Sequence, residues 1–161
     1  MKNKTIFLKN LFKYAIKNKQ GGIMKNIKPK ISLQNDKNIS NEQKLMRFHT
    51  LNLNPIYFDL IKNKEKTLEG RLNDEKRQNF NIGDTITFYK EPERIETINA
   101  IILNKYFYKN FDEMANNLDK KDLGFANSTK EEMIKVYRTI YSKENEDKYG
   151  VVIFKIKVMN F

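Results

Sequence analysis

Short β-patterned segments, mostly joined by tight polar turns, decide what this chain can fold into. Residues 47–53 (RFHTLNL) and 66–72 (KTLEGRL) alternate apolar and polar side chains, the period of a half-buried strand. Residues 85–90 (TITFYK), 95–108 (IETINAIILNKYFY) and 149–159 (YGVVIFKIKVM) add three more strands, the fourth bent near Asn99. Residues 73–84 read as a polar connection ending in a turn at Gly83-Asp84, and 91–94 (EPER) as a tight one. Between strands lie three helical patterns. Residues 54–64 open with Asn54 as cap and Pro55 as first helical residue. Residues 110–118 follow Asn110. Residues 128–141 are capped by Ser128 or Thr129 with Glu131 or Glu132 three residues on, and bury Met133, Val136, Tyr137 and Ile140. The order β-α-β-β-β-α-α-β, with about five strands and two or three helices packed outside, is an α+β fold built on a small curved sheet or barrel.

The 161 residues suffice for one domain with a real core, and 11 Phe and 8 Tyr are too many for a wholly disordered chain. With no cysteine there is neither a disulfide framework nor a thiolate metal site, and one histidine, His49, argues against a His-rich metal centre. No metal or cofactor is expected. No apolar run approaches the roughly 20 residues of a membrane span. A reducing compartment, the cytoplasm, is therefore the expected location.

The net charge of +11 suggests nucleic acid until it is divided. Residues 1–45 carry eleven Lys against Asp36 and Glu42, a surplus of nine, so residues 46–161 are nearly neutral. Polyanion binding by the body must therefore come from a local patch. Residues 1–20 set Leu11, Phe12, Ala15 and Ile16 among lysines as a short basic amphipathic helix, broken at Gly21-Gly22. Residues 25–45 read as linker or disorder. A membrane-surface anchor, a targeting peptide without arginine, an RNA-binding arm and a bland extension all fit. Met24 and Met46 are alternative starts. The expected organisation is a basic, low-complexity extension over 1–45 and an ordered domain over 46–161.

The most informative stretch is 63–77, NKEKTLEGRLNDEKR. Lys64 to Arg71 resembles the pattern Gly-x-Lys-x-x-Glu-x-Arg of ASCH domains, in the PUA-like superfamily. Lys66, Glu69 and Arg71 match, and Lys64 stands where the pattern has Gly. The likeness extends through His49, Leu53, Phe58, Ile61, the run KTLEGRLNDEKRQNFNIGDTITF, and YSKENEDKYGVV at 141–152. It covers 46–158 in order, which a lone Lys-x-x-Glu-x-Arg would not. The resemblance implies a PUA-like β-barrel with a cleft between strand and helices, and RNA as the family's proposed ligand. One bacterial branch is an amidohydrolase that deacetylates 4-acetylcytidine, and a nuclease activity has been proposed for another. Lys66 matches the amidohydrolase lysine, but its catalytic Thr aligns with Glu69. Its catalytic Glu belongs before the last helix, where this chain reads GFANST without a carboxylate. Hydrolysis therefore does not transfer residue by residue.

By alternation, Thr67, Glu69 and Arg71 share one strand face while Leu68 and Leu72 turn to the core. Gly70 makes room for close approach by a ligand or backbone. Arg71 suits a phosphate or base edge, and Glu69 an exocyclic amino group. The bland alternative is an exposed Glu-Arg ladder, worth little. Lys66 points away under strict alternation, so it is either a solvated lysine or one whose stem swings into the cleft. As a catalyst with Glu69 it would need a lowered pKa. Lys76 and Arg77 either touch an RNA backbone or pair with Asp74 and Glu75. His49 reads as a structural hydrogen bonder or a ligand contact, and Tyr141 as a packing aromatic or a base-stacking platform. Two functions follow: a module binding RNA or a modified nucleoside, or a metal-independent hydrolase using the same cleft; a third, weaker reading is a regulatory module whose ligand is a protein. A closed site with Lys66 and Glu69 in hydrogen-bond reach favours the enzyme. An open groove continuous with Lys76 and Arg77 favours strand binding.

Overall fold

A computed structural model describes residues 46–159; the expectations for residues 1–45 lie outside the described residues. The elements are β1 (Phe48–Leu53), α1 (Pro55–Lys62), β2 (Leu68–Leu72), α2 (Glu75–Gln78), β3 (Thr85–Lys90), β4 (Thr97–Tyr108), α3 (Phe111–Asn117), α4 (Lys130–Ile140), α5 (Lys143–Tyr149) and β5 (Val151–Val158). The strands form one curled sheet in the order β1-β3-β4-β5-β2, with β1 parallel to β3 and every other pair antiparallel. This is an α+β half-barrel of the PUA-like kind. β1 and β2 are its two edges, and no backbone ladder joins them. The open seam between those edges positions the site.

β5 is buried on both faces, which its apolar run requires of a central strand. Val152, Phe154 and Ile156 enter a cluster with Phe58, Ile61, Phe80, Ile86 and Phe88. Val151 and Ile153 enter a second one with Leu68, Leu72, Phe111, Met114, Met133 and Tyr137. α1 thus closes one side of the sheet, while α3 and α4 close the other. The caps follow the sequence. Asn54 accepts from Ile56 N at 3.0 Å, Asn110 from Glu113 N at 2.8 Å, and Thr129 with Glu132 completes a capping box.

The structure corrects the expected elements in four places. There are five helices among the described residues rather than two or three. Residues 143–149, most of which lie between the last expected helix and the last expected strand, form α5, which Ser142 caps and Gly150 ends at φ 66°. Glu146 explains why this polar segment folds: it is fully buried, accepting from Phe111 N at 2.9 Å and from Arg138 at 3.0 Å. The connection 73–84 contains the one-turn helix α2, capped by Asp74. β4 shifts register against β5 between Ile102 and Asn104, just beyond Ile101, where its pairing with β3 ends. β2 starts at Leu68, not Lys66: the amides of Thr67 and Leu68 both donate to Asp122 O at 3.0 Å, and that of Lys66 to Leu60 O at 3.1 Å.

Candidate functional site

The turn before β2 sets up the site. Lys64, in the place of the pattern's glycine, adopts φ 65°, so the left-handed turn is kept despite the side chain. Because Lys66 precedes the strand, alternation does not govern it, and its side chain runs inward. It is 4% exposed. Its Nζ donates to Leu68 O at 2.6 Å and Leu123 O at 3.0 Å and lies 3.2 Å from Glu69 Oε2. All three acceptors require a hydrogen, so all three ammonium hydrogens are committed. Burial draws the Lys66 pKa below 10.5 and Glu69 works against that. The acceptor geometry holds the group as an ammonium ion.

Glu69 is buried on β2, with Arg71 Nε donating to its Oε1 at 2.7 Å. Burial pushes its carboxyl pKa up. The Lys66 and Arg71 cations outweigh this and hold it below the usual carboxylate range. Arg71 also donates from Nη2 to Asn52 O on β1 at 2.8 Å, so its guanidinium bridges the two edges of the sheet. Burial opposes its charge, but Glu69 and then Tyr141 keep it firmly protonated. Two cations thus flank one anion, leaving a positive surplus beside the strand.

These side chains line a cleft of about 400 Å³ in the seam, together with Asn52, Tyr57, Glu91, Phe125, Tyr137 and Tyr141. That size lies in the range of small-molecule sites. The Lys66 Nζ sits 5.8 Å from the Tyr57 ring centre, and the Phe125 ring is 5.3 Å from Tyr57 and 5.8 Å from Tyr137. Burial, then Glu69, raises the hydroxyl pKa of both Tyr57 and Tyr137 above 10, keeping them protonated. A Cβ on Gly70 would lie 2.6 Å from the Tyr137 hydroxyl. The close approach that Gly70 permits is therefore by Tyr137.

The structure brings together Lys66, Glu69, Arg71 and Tyr141, and places Lys76 and Arg77 in an adjoining groove that shares Arg71 and Asn52 with the cleft. Thr67 is not among the cleft residues. Lying before β2, it turns its Oγ1 to Asp122 Oδ1, 3.4 Å away. His49 is not in the cleft either: it stacks on Phe80 at 3.9 Å and its Nε2 is 2.8 Å from Asp84 Oδ2. Asp84 in turn accepts from the amides of Arg47 and Asn81, tying β1 to the turn before β3. Sequence reasoning missed Asn52, Tyr57, Glu91, Phe125 and the cleft role of Tyr137. The helical periodicity marks the two tyrosines as packing residues. No local signal tells that loop residues from 91 and 125 meet β2. Among the described residues no group of three or more His, Asp or Glu is placed to hold a metal ion, and no helix is long and apolar enough to cross a membrane.

The fold and sequence both find solved relatives. The crystal structure of the hypothetical protein PH0355 matches with a TM-score of 0.62 at 34% identity, over 71% of this chain and 100% of that one. The solution structure of protein PF0455 from Pyrococcus furiosus matches with a TM-score of 0.56 at 34% identity, over 72% of this chain and 100% of that one. A comparison with curated proteins returned no match. The ASCH domain model matches residues 51–160, and the chain, with its Lys66-x-x-Glu69-x-Arg71 segment in the seam of the half-barrel, belongs to the ASCH domain family.

Proposed function

We propose that the cleft is a binding site for a nucleoside, free or as a unit of RNA, and that Glu69 reads the exocyclic amino group of its base. The observation that carries this reading is the state of the charged cluster. Lys66 has spent its three hydrogens on Leu68, Leu123 and Glu69, so it orients the carboxylate. Glu69 is fixed by one cation on each oxygen and retains lone pairs for a ligand donor. The aromatic side chains of Tyr57, Phe125 and Tyr141 supply faces for a base. RNA is the ligand class the family resemblance implies.

The alternative is a metal-independent hydrolase, of the 4-acetylcytidine amidohydrolase kind or a ribonuclease. It draws on the 3.2 Å Lys66–Glu69 contact. Lys66 and Glu69 would act as the catalytic pair and Arg71 would stabilise developing negative charge. A lysine without a free hydrogen or lone pair is poorly set for that task. Cytidine and 4-acetylcytidine titrated into wild type, Arg71→Ala and Lys66→Ala, with products followed by chromatography, test the choice. Saturable binding without turnover, weakened in Arg71→Ala, is expected. Turnover by the wild type that disappears in Lys66→Ala makes the protein a hydrolase instead. Absence of nucleoside binding, alone or within an RNA strand, sinks the reading.

A further inference from the structure

Beside the cleft, a groove of about 290 Å³ is lined by Thr50, Asn52, Arg71, Lys76, Arg77 and Arg94, with no carboxylate among its lining residues. Arg71 and Asn52 are common to both spaces. The Arg71 guanidinium forms the partition: its Nε faces Glu69 and its Nη2 the Asn52 carbonyl.

The cations of the groove are unevenly matched. Arg77 pairs through Nη1 with Asp74 Oδ2 at 2.6 Å, while its Nε is buried without a hydrogen-bond partner. Lys76 and Arg94 have no carboxylate partner among the described residues. The Arg94 guanidinium lies 5.1 Å from the Tyr89 ring centre. Arg94 also holds φ 59°, a left-handed conformation that non-glycine residues seldom adopt. Strain of this kind, in a turn that lends its side chain to a concave basic surface, is a pointer to function. Four guanidinium or ammonium groups line a groove that carries no carboxylate; Arg71 and Arg77 pair with Glu69 and Asp74 outside it, and such a surface suits a phosphate, which offers acceptors to several donors at once.

We infer that the groove is a phosphate site, and that the ligand of this protein is a nucleotide whose base occupies the cleft and whose phosphate lies among Lys76, Arg77 and Arg94. Arg71 contacts both halves. This rests on the nucleoside reading of the cleft and narrows it from nucleoside to nucleotide. The phosphate belongs either to a mononucleotide or to an RNA backbone.

The test compares cytidine, cytidine monophosphate (3′ and 5′), inorganic phosphate and a short cytidine-containing RNA, on the full wild-type chain and on Lys76→Ala/Arg94→Ala. Neither position has an ion pair among the described residues, and thermal melting checks that the double variant folds. In the wild type one of the monophosphates should bind about tenfold more tightly than cytidine, the effect of a few charge-assisted hydrogen bonds. In the double variant it should fall to the cytidine value. If RNA binds far more tightly than the monophosphates, and its logarithmic salt slope drops by about 0.7 per lost phosphate contact, the phosphate is that of a strand. Equal affinities assign a mononucleotide. Phosphate binding that the double variant loses, with no nucleoside binding, keeps the groove while the cleft reading fails. Cytidine and both monophosphates binding alike in wild type overturn the inference, as does a double variant whose monophosphate affinity is unchanged. Failure of the wild type to bind phosphate and every nucleotide overturns it too.

Discussion

Replacing Lys66 with methionine isolates what its ammonium group does, because the two side chains have similar length and only the charge and the hydrogens go. Two carbonyl oxygens, of Leu68 and Leu123, lose their partner at 2.6 and 3.0 Å. Leaving buried acceptors unmade costs on the order of 1 kcal/mol each. Glu69 loses one of its two cations. Breaking a buried ion pair outright costs about 3–5 kcal/mol, but Arg71 remains at 2.7 Å, so the lower end applies. The two costs overlap because both describe loss of the same ammonium group, so Lys66→Met should destabilise by about 3–5 kcal/mol. The cost should depend on the Glu69 charge: in a Glu69→Gln background it should shrink by roughly 1–2 kcal/mol, the coupling of directly interacting groups. Urea unfolding of the four proteins at neutral pH, followed by circular dichroism, gives all the terms. A Lys66→Met cost below about 1 kcal/mol with no coupling would refute the reasoning. The ammonium would then be unsaturated and available for chemistry.

Three further outcomes follow from the same region. Gly70→Ala drives a methyl to 2.6 Å from a hydroxyl whose ring is buried and stacked on Phe111. A loss of about 1–3 kcal/mol is expected, and it should be partly relieved in Gly70→Ala/Tyr137→Phe, since Ile153 Cδ1 and the Tyr137 Cζ remain at 3.1 Å; strictly additive denaturation midpoints contradict the contact. Lys64→Gly should stabilise by about 0.5–1 kcal/mol, since it removes left-handed strain at an exposed side chain; a lower melting temperature argues against the strained turn. Glu69 has a folded-state pKa below its unfolded value, so the native state binds fewer protons in acid. Its stabilisation is complete above about pH 4.3 and is lost as pH falls through the lower folded-state value. Glu69→Gln should therefore flatten the acid limb of stability against pH, and an unchanged limb would show that the carboxyl is not held low.

The period-two pattern of 68–72 and the apolar run of β5 follow from the sequence alone, because a strand buried on one face must alternate and one buried on both must not. Caps at Asn54, Asn110 and Thr129 were equally legible, since capping is a local contest for the first free amides of a helix. α5 escaped notice because its buried polar anchor, Glu146, gains its meaning from Arg138 on the preceding helix and from Phe111, 35 residues away. Ser142 and Gly150 at its ends were the available signals. The resemblance to the ASCH pattern names Lys66, Glu69 and Arg71 as a set. It does not place them: Lys66 turns inward because amides donating to Leu60 and Asp122 start the strand two residues late, and Thr67 leaves the cleft for the same reason. That Arg71 reaches Asn52, and that Arg94 arrives beside Lys76, depends on the curl that brings the edges β1 and β2 together. Local sequence determines which backbone groups pair with near neighbours. The meeting of two sheet edges is set by the summed twist and packing of all five strands, which only the tertiary structure decides.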